Sequence, residues 1–356
     1  MTTTIAYEPI MTDVLDALGP RERLSRACLT GRVDPERARA ELGWSVVEEL
    51  LATSTFDPGM FRIITEHGHT DPELYLASTL NGLSVVKRTM RANVLVHELS
   101  IGSTLNVNGA DRLHSGLQAD RELLEYAVGR LAWCNGFVSH TGSSAFGRHH
   151  DNHNVVVVQA EGSKHWRVFA PDQDAPVFDT VLTAGDVLHV PTGWDHEVTG
   201  LGGSSVHWTF GFCVPSDHDI VLAELAHRAS RGEDLVVPDG DLADLTDLDT
   251  AARARSLDRR AGANLPWSLG DDLPELDELL VRWAARLPPA VTRSGDTLLV
   301  ASLGSRYRID ARFDQAMRLL ARGGRVRASV LGSEAEVRTF LAFALEQRLV
   351  LLERDS

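Results

Sequence analysis

Four consecutive valines, Val155 to Val158, constrain this chain more than any other feature. A β-branched run of that kind reads as a strand. The chain enters it through His149-His150-Asp151-Asn152-His153-Asn154. In an extended chain, side chains at i and i+2 share a face, so His149 and Asp151 are expected to project together and His150 away from them. A second segment, Gly185-Asp186-Val187-Leu188-His189-Val190-Pro191-Thr192-Gly193-Trp194-Asp195-His196, reads as a turn, a short apolar strand and a stop at Pro191. After that stop His196 can fold back over the first strand. Two imidazoles and one carboxylate are the ligand set of non-haem Fe(II) with open coordination positions. His149, Asp151 and His196 are therefore the candidate metal ligands and catalytic centre.

The rest of the chain is read around that core. With 14 histidines, some His-x-Asp pairs arise by chance, and it is the downstream segment ending in His196 that lifts this one above chance. His140, His150, His153, His165 and His189 are set aside as ligands. A regular strand carries His153 about 13 Å beyond His149, so it enters only if a bulge shortens that path. His207, beside Trp208, Phe210 and Phe212, reads as a core histidine or one that supports the site from behind.

Residues 10–90 read as helices and connectors, with helical spacing at Glu48 to Leu51 and at Asp71 to Val86. Asn93 to Val107 reads as strand, and Asp120 to Leu131 as an amphipathic helix. Short strands with Gly and Pro turns fill Cys134 to Cys213, a density that suggests a jelly-roll barrel of the cupin type. After Pro215 come helix candidates at Ile220 to Ser230, Ala251 to Gly262 and Pro274 to Ala285, around an Asp-rich linker from Gly232 to Thr250. Past Pro288-Pro289, a strand (Thr297 to Ala301), a helix (Ala311 to Ala321), a helix opened by a Ser333/Glu336 capping box and a strand (Leu349 to Leu352) resemble a winged helix.

Composition excludes several classes. A net charge of −15 argues against general nucleic-acid binding and favours a basic protein or peptide as partner. No run of 18 apolar residues offers a membrane span, and the N-terminus has no basic and apolar signal pattern. Cys28, Cys134 and Cys213 are too scattered for a disulfide framework or a thiolate zinc site, which suits a cytoplasmic location. No P-loop, nucleophile elbow or dinucleotide fingerprint is present.

The block from Asn135 through Gly147-x-His149-x-Asp151, Val155, Gln159 and Glu161-Gly162-Ser163-Lys164-His165-Trp166-Arg167-Val168, on to Gly185–Pro191 and His196, resembles the JmjC-type ribosomal oxygenases. These are Fe(II)- and 2-oxoglutarate-dependent protein hydroxylases. Gly102 to Gly109 and Ser205 to Thr209 fit as well, so the resemblance covers about 100–215. Departures are Arg148 where proline is common, Val156 where phenylalanine is common, and the lack of an aromatic-basic-proline segment near the N-terminus.

The resemblance implies an α+β chain: a double-stranded β-helix (jelly-roll/cupin, JmjC-type) catalytic domain over 1–215, a helical dimerisation region over 216–285 and a winged-helix-like domain over 286–356. It implies that Lys164 pairs with the distal carboxylate of 2-oxoglutarate, that Asn135 helps hold this co-substrate, and that the chain forms a homodimer. The expected outcome is hydroxylation of a protein side chain, with a ribosomal protein as one candidate substrate. The alternatives are tailoring of a small peptide or amino acid, and a metal-binding cupin without turnover.

Overall fold

The computed structural model describes residues 9–355 apart from 21–22, 25, 54–55, 82–83, 143–145, 215–263, 265–266, 268–271 and 304. The chain divides into two compact units, Met1–Leu124 with Ala132–Val214, and Glu125–Leu131 with Pro215–Ser356.

The first unit opens with α1 (Met11–Leu18), β1 (Leu29–Arg32), α2 (Pro35–Leu42) and α3 (Trp44–Thr53). There follow β2 (Phe61–Thr65), β3 (Gly68–His69), α4 (Pro72–Tyr75), β4 (Leu76–Asn81), β5 (Ser84–Met90), α5 (Ala92–Ser100), β6 (Thr104–Val107) and α6 (Ser115–Val128). The barrel strands are β7 (Ala132–Ser139), β8 (Asn154–Glu161), β9 (Ser163–Phe169), β10 (Phe178–Thr183), β11 (Asp186–Val190), β12 (Asp195–Gly200) and β13 (Ser205–Phe212). They form two antiparallel sheets, an eight-stranded one ordered β1-β11-β8-β13-β7-β6-β2-β3 and a three-stranded one ordered β10-β9-β12. This is the expected jelly roll.

The valine run explains how the sheets are held. Val155 and Val157 pack with Trp166, Val168, Leu188 and Val190 in the core shared by the two sheets. Val156 and Val158 on the opposite face are also fully buried, and α2 packs against β8. A strand covered on both faces needs a continuous apolar sequence rather than an alternating one. The indole of Trp208 donates to the Leu42 carbonyl (2.7 Å), which ties the end of α2 to the sheet. A Cβ at Gly136 would lie 2.5 Å from that indole, so Asn135-Gly136 is a mid-strand pair cut to fit Trp208 and not a turn.

Three expectations are corrected. Asp71 to Val86 is one helical turn, α4, followed by the paired strands β4 and β5. β4 ends at Asn81, which pairs with Ser84 of β5, and in the sequence an Asn-Gly dipeptide is a hairpin signal that outweighs the apolar spacing. Val94 and Val96 lie in α5, with only the four residues of β6 as strand; there tertiary context overrides β propensity. His149 and Asp151 do not lie on β8 but in the segment leading into it, where His149 makes an isolated antiparallel bridge to His196.

In the second unit, β14 (Leu279–Trp283) pairs with β18 (Val326–Arg327) and β19 (Val350–Arg354), while β15 (Ala290–Ser294), β16 (Thr297–Ser302) and β17 (Ser305–Asp310) form a second antiparallel sheet. The helix expected at Pro274 to Ala285 is thus a strand. Leu279, Val281 and Trp283 are buried in alternation, the period of two that the helical reading missed. Helices α7 (Asp314–Leu320) and α8 (Glu334–Glu346) belong to the same unit, and α8 has the Ser333/Glu336 capping box. The core is built from residues such as Trp283, Val300, Met317, Phe340, Leu341 and Val350. The helix candidates at Ile220 to Ser230 and Ala251 to Gly262, and the Asp-rich linker between them, lie outside the described residues.

Candidate metal centre and its cavity

The ligand candidates are set by two short backbone segments pinned to each other. The His149 N–H donates to the His196 carbonyl (3.0 Å) and the His196 N–H to the His149 carbonyl (2.7 Å). Two residues on, the Gly193 N–H donates to the Asp151 carbonyl (2.8 Å). The Thr192 N–H donates to Asn154 Oδ1 at the start of β8 (3.2 Å). Gly147, at φ +61°, turns the chain into this segment. Arg148 fixes it from outside, donating to Asp195 (2.9 Å) with its guanidinium 3.8 Å from the centroid of the Phe169 ring.

The side chains then converge. His149 Nδ1 lies 3.0 Å from the Gly147 carbonyl and His196 Nδ1 lies 3.3 Å from the Trp194 carbonyl. A backbone carbonyl at Nδ1 fixes the tautomer and leaves Nε2 as the lone-pair atom, which is the usual preparation of a ligating imidazole. His196 Nε2 is 3.8 Å from Asp151 Oδ2. One ligand atom from each of His149, Asp151 and His196 lies within 4.8 Å of the other two. Ligands at about 2.0–2.2 Å from a common ion lie about 3–4.4 Å apart, so a small inward shift of these side chains lets the three residues hold a divalent metal. Burial, and then the charge of His149, lower the His196 pKa, while Asp151 opposes them.

These residues line a cavity of about 280 Å³ between the two sheets. Lys164, on β9, faces it with 4 % of its surface exposed and without a hydrogen bond or ion pair among the described residues. Desolvation pushes its pKa down to about 7. A buried ammonium without a counter-charge is costly, so the cavity is built to receive an anion. His207, stacked on Phe137 (4.9 Å) and fully buried, is held well below its ordinary pKa by desolvation and then by Lys164. Its Nδ1 has no hydrogen-bond partner among the described residues. Asn135 lines the same cavity, and its Oδ1 accepts from the Gly109 N–H (2.9 Å).

The histidines set aside have other employment. His140 meets Ser204 (2.9 Å), His165 meets Asp179 (2.6 Å), His189 meets the Ala27 carbonyl (3.0 Å) and His150 meets Asp195 (3.2 Å). His153 Nε2 lies 3.9 Å from Asp151 Oδ2 and its ring packs edge-on to Trp133. It is not in the three-residue ligand set.

The sequence reading missed the outer wall, where Arg62, Ile64, His69, Asn106 and Asn108 also line the cavity. They come from β2, β3, β6 and the residue after β6. The available signal was the β-branched, alternating run Phe61-Arg62-Ile63-Ile64-Thr65.

A jelly roll with two histidines and a carboxylate at one cavity defines a cupin-type metal-site protein. Comparisons with known proteins narrow the class. A JmjC domain matches residues 112–220. Ribosomal oxygenase 1 of Danio rerio is 29% identical over 133 residues, 32% of this chain and 22% of the relative. The bifunctional lysine-specific demethylase and histidyl-hydroxylase NO66 of Brugia malayi is 24% identical over 171 residues, 42% of this chain and 23% of the relative. The chain thus spans under a quarter of the length of these relatives. The YcfD ribosomal oxygenase of Escherichia coli has the same fold over 93% of this chain and 96% of its own, with a TM-score of 0.52 at 16% identity. A second YcfD structure, in complex with cobalt and 2-oxoglutarate, matches with a TM-score of 0.51 at 16% identity over the same shares of both chains. The chain thus carries a JmjC domain over 112–220, is similar there to ribosomal oxygenases, and shares the YcfD fold.

Proposed function

We propose that this chain is an Fe(II)- and 2-oxoglutarate-dependent dioxygenase that hydroxylates a side chain of a protein. The observation that carries this reading is the juxtaposition, in one cavity, of a complete 2-His-1-carboxylate set with a buried, unpartnered lysine. When bound, the iron and the 2-oxo acid supply the oxygen-dependent oxidising chemistry. The chain holds and aims them. His149, Asp151 and His196 are assigned the metal, Lys164 the distal carboxylate and Asn135 a supporting polar contact. Trp166, Val155 and Val157 line the cavity with apolar surface and limit water there.

A basic substrate, a ribosomal protein among the candidates, suits a chain of net charge −15 through long-range steering. A homodimer, a winged-helix reading of the second unit and a cytoplasmic location belong to the same proposal. The last is supported by three free cysteines, and no helix among the described residues is long and apolar enough to cross a membrane.

The test is calorimetry on the full chain with Mn(II) as a redox-inert substitute, then 2-oxoglutarate, followed by succinate release with Fe(II). One Mn(II) per chain and metal-dependent 2-oxoglutarate binding are expected. Metal binding that survives replacement of all three ligands would sink the assignment.

A further inference from the structure

The three ligand candidates are not equally supported. His149 and His196 each have a backbone carbonyl at Nδ1, that of Gly147 at 3.0 Å and that of Trp194 at 3.3 Å. The Asp151 side chain is 34% exposed and its carboxylate accepts no hydrogen bond among the described residues. Ligating carboxylates are ordinarily hydrogen-bonded in their turn. Two imidazole nitrogens lie near Asp151 Oδ2, His196 Nε2 at 3.8 Å and His153 Nε2 at 3.9 Å. His196 Nε2 is assigned to the metal as a lone-pair donor and has no proton to offer. His153 Nε2 is free of that duty. Its ring lines the cavity, with 17% of the side chain exposed, and packs edge-on to Trp133 at 4.8 Å between centroids. Trp133 in turn fills the space left by Gly211 on β13, where a Cβ would lie 2.5 Å from the indole. The Asn152 side-chain amide meets His153 Nδ1 with its oxygen at 3.1 Å. Beside a carboxylate the ring keeps its proton on Nε2, and the same amide, turned to present its NH2, then donates to Nδ1.

We propose that His153 is a positioning residue for the metal carboxylate: its Nε2–H donates to the Asp151 oxygen that does not bind the ion, and so holds Asp151 as a one-oxygen ligand. This rests on the proposed Fe(II)- and 2-oxoglutarate-dependent activity. The separation of 3.9 Å is about 1 Å beyond hydrogen-bond length. A turn of the carboxylate about its own bond, a soft torsion, moves an oxygen by that much. Contacts of this kind tighten when the reacting partners are bound. The consequence lies in the positions around the metal. Two imidazoles and one carboxylate oxygen leave the remaining positions to the co-substrate and oxygen. A carboxylate that turns both oxygens to the ion takes one of those positions. Carboxylates bind metals in either mode, and a donor on the second oxygen decides between them.

The experiment uses the full chain, with Mn(II) and then 2-oxoglutarate binding read by calorimetry. His153→Phe keeps an aromatic ring against Trp133 and removes the donor, while His153→Gln returns an N–H donor of similar reach. His153→Phe should weaken Mn(II) binding by about 10–100-fold, the usual loss when a metal ligand is stripped of its hydrogen-bond partner. At saturating Mn(II) it should also weaken 2-oxoglutarate binding. His153→Gln should recover most of both losses, which a space-filling role would not allow. Nuclear magnetic resonance of the native chain with diamagnetic Zn(II) should show His153 carrying its proton on Nε2, protected from exchange with water. Unchanged Mn(II) affinity in His153→Phe, or a His153→Gln variant as weak as His153→Phe, would overturn the inference. So would a His153 Nε2 without a proton in the Zn(II)-loaded chain, which would make it a ligand itself, and this readout decides the matter should His153→Phe fail to fold. Failure of the native chain to take Mn(II) at all removes the proposed activity, a result distinct from a native chain that binds Mn(II) and is indifferent to His153.

Discussion

Replacing Lys164 by methionine separates the burden this residue places on the fold from its use in the cavity. Its pKa is pushed down from 10.5 to about 7 by desolvation. A lysine depressed in the folded state binds fewer protons there than in the unfolded chain between pH 7 and 10.5. Stability without ligand therefore climbs with pH across that window, and the full penalty is felt below pH 7. At 1.36 kcal/mol per unit the penalty is at most roughly 5 kcal/mol. Lys164→Met removes it with an apolar chain of similar length. The ligand-free variant should melt higher than the parent at pH 6.5, and the difference should shrink toward pH 10. The same change should weaken 2-oxoglutarate binding by about a hundredfold, since breaking a buried charge pair costs roughly 3 kcal/mol or more.

Proton uptake gives a third readout. At pH 8 the free lysine is largely neutral and must regain a proton to meet a carboxylate. Binding of 2-oxoglutarate to the Mn(II)-loaded parent should therefore take up close to one proton, read by calorimetry in buffers of different ionisation enthalpy. A variant less stable than the parent at pH 6.5, with unchanged 2-oxoglutarate affinity, would refute both halves of the reasoning.

Three further outcomes are expected. Single replacements of His149, Asp151 or His196 by alanine should abolish tight Mn(II) binding while leaving the circular dichroism spectrum unchanged, because the backbone bridges at this site do not use those side chains. Gly136→Ala should lower stability by about 1–3 kcal/mol in denaturant titration, since its Cβ would lie 2.5 Å from the Trp208 indole. Light scattering should give about twice the 38.9 kDa chain mass, and a monodisperse monomer would remove the dimer from the proposal.

The legible parts of the fold were those where one physical demand acted alone. The run Val155 to Val158 reads as a strand, and β8 carries it, buried on both faces from Asn154 to Ala160. Ser333 and Glu336 announced α8 through their reciprocal cap. Expectations failed where two demands competed within a few residues. At Asp71 to Val86 an Asp-Pro helix start precedes a hairpin, and the start was extended through it. At Leu279 to Trp283 a period of two lies inside a longer leucine-rich stretch that also suits a helix, and the helical reading overrides it. Val94 and Val96 show the limit of propensity, since α5 leaves Val96 67% exposed and buries Leu95 instead.

The site divides in the same way, and the division has a chemical cause. Metal ligation needs fixed residue types at fixed spacing, so His149, Asp151 and His196 could be picked out before their supporting segment was understood. Their placement off the strand did not matter, because paired backbone hydrogen bonds hold His149 to His196 whatever precedes β8. Lys164 was reachable only through the family resemblance, since a single lysine in a strand has no spacing of its own. Arg62 had neither kind of signal. It is found only through strand register, which sets it opposite Asn106 on the cavity wall. Residues with a ligand spacing are thus legible in the chain, whereas the rest of the cavity wall is legible only in the packing.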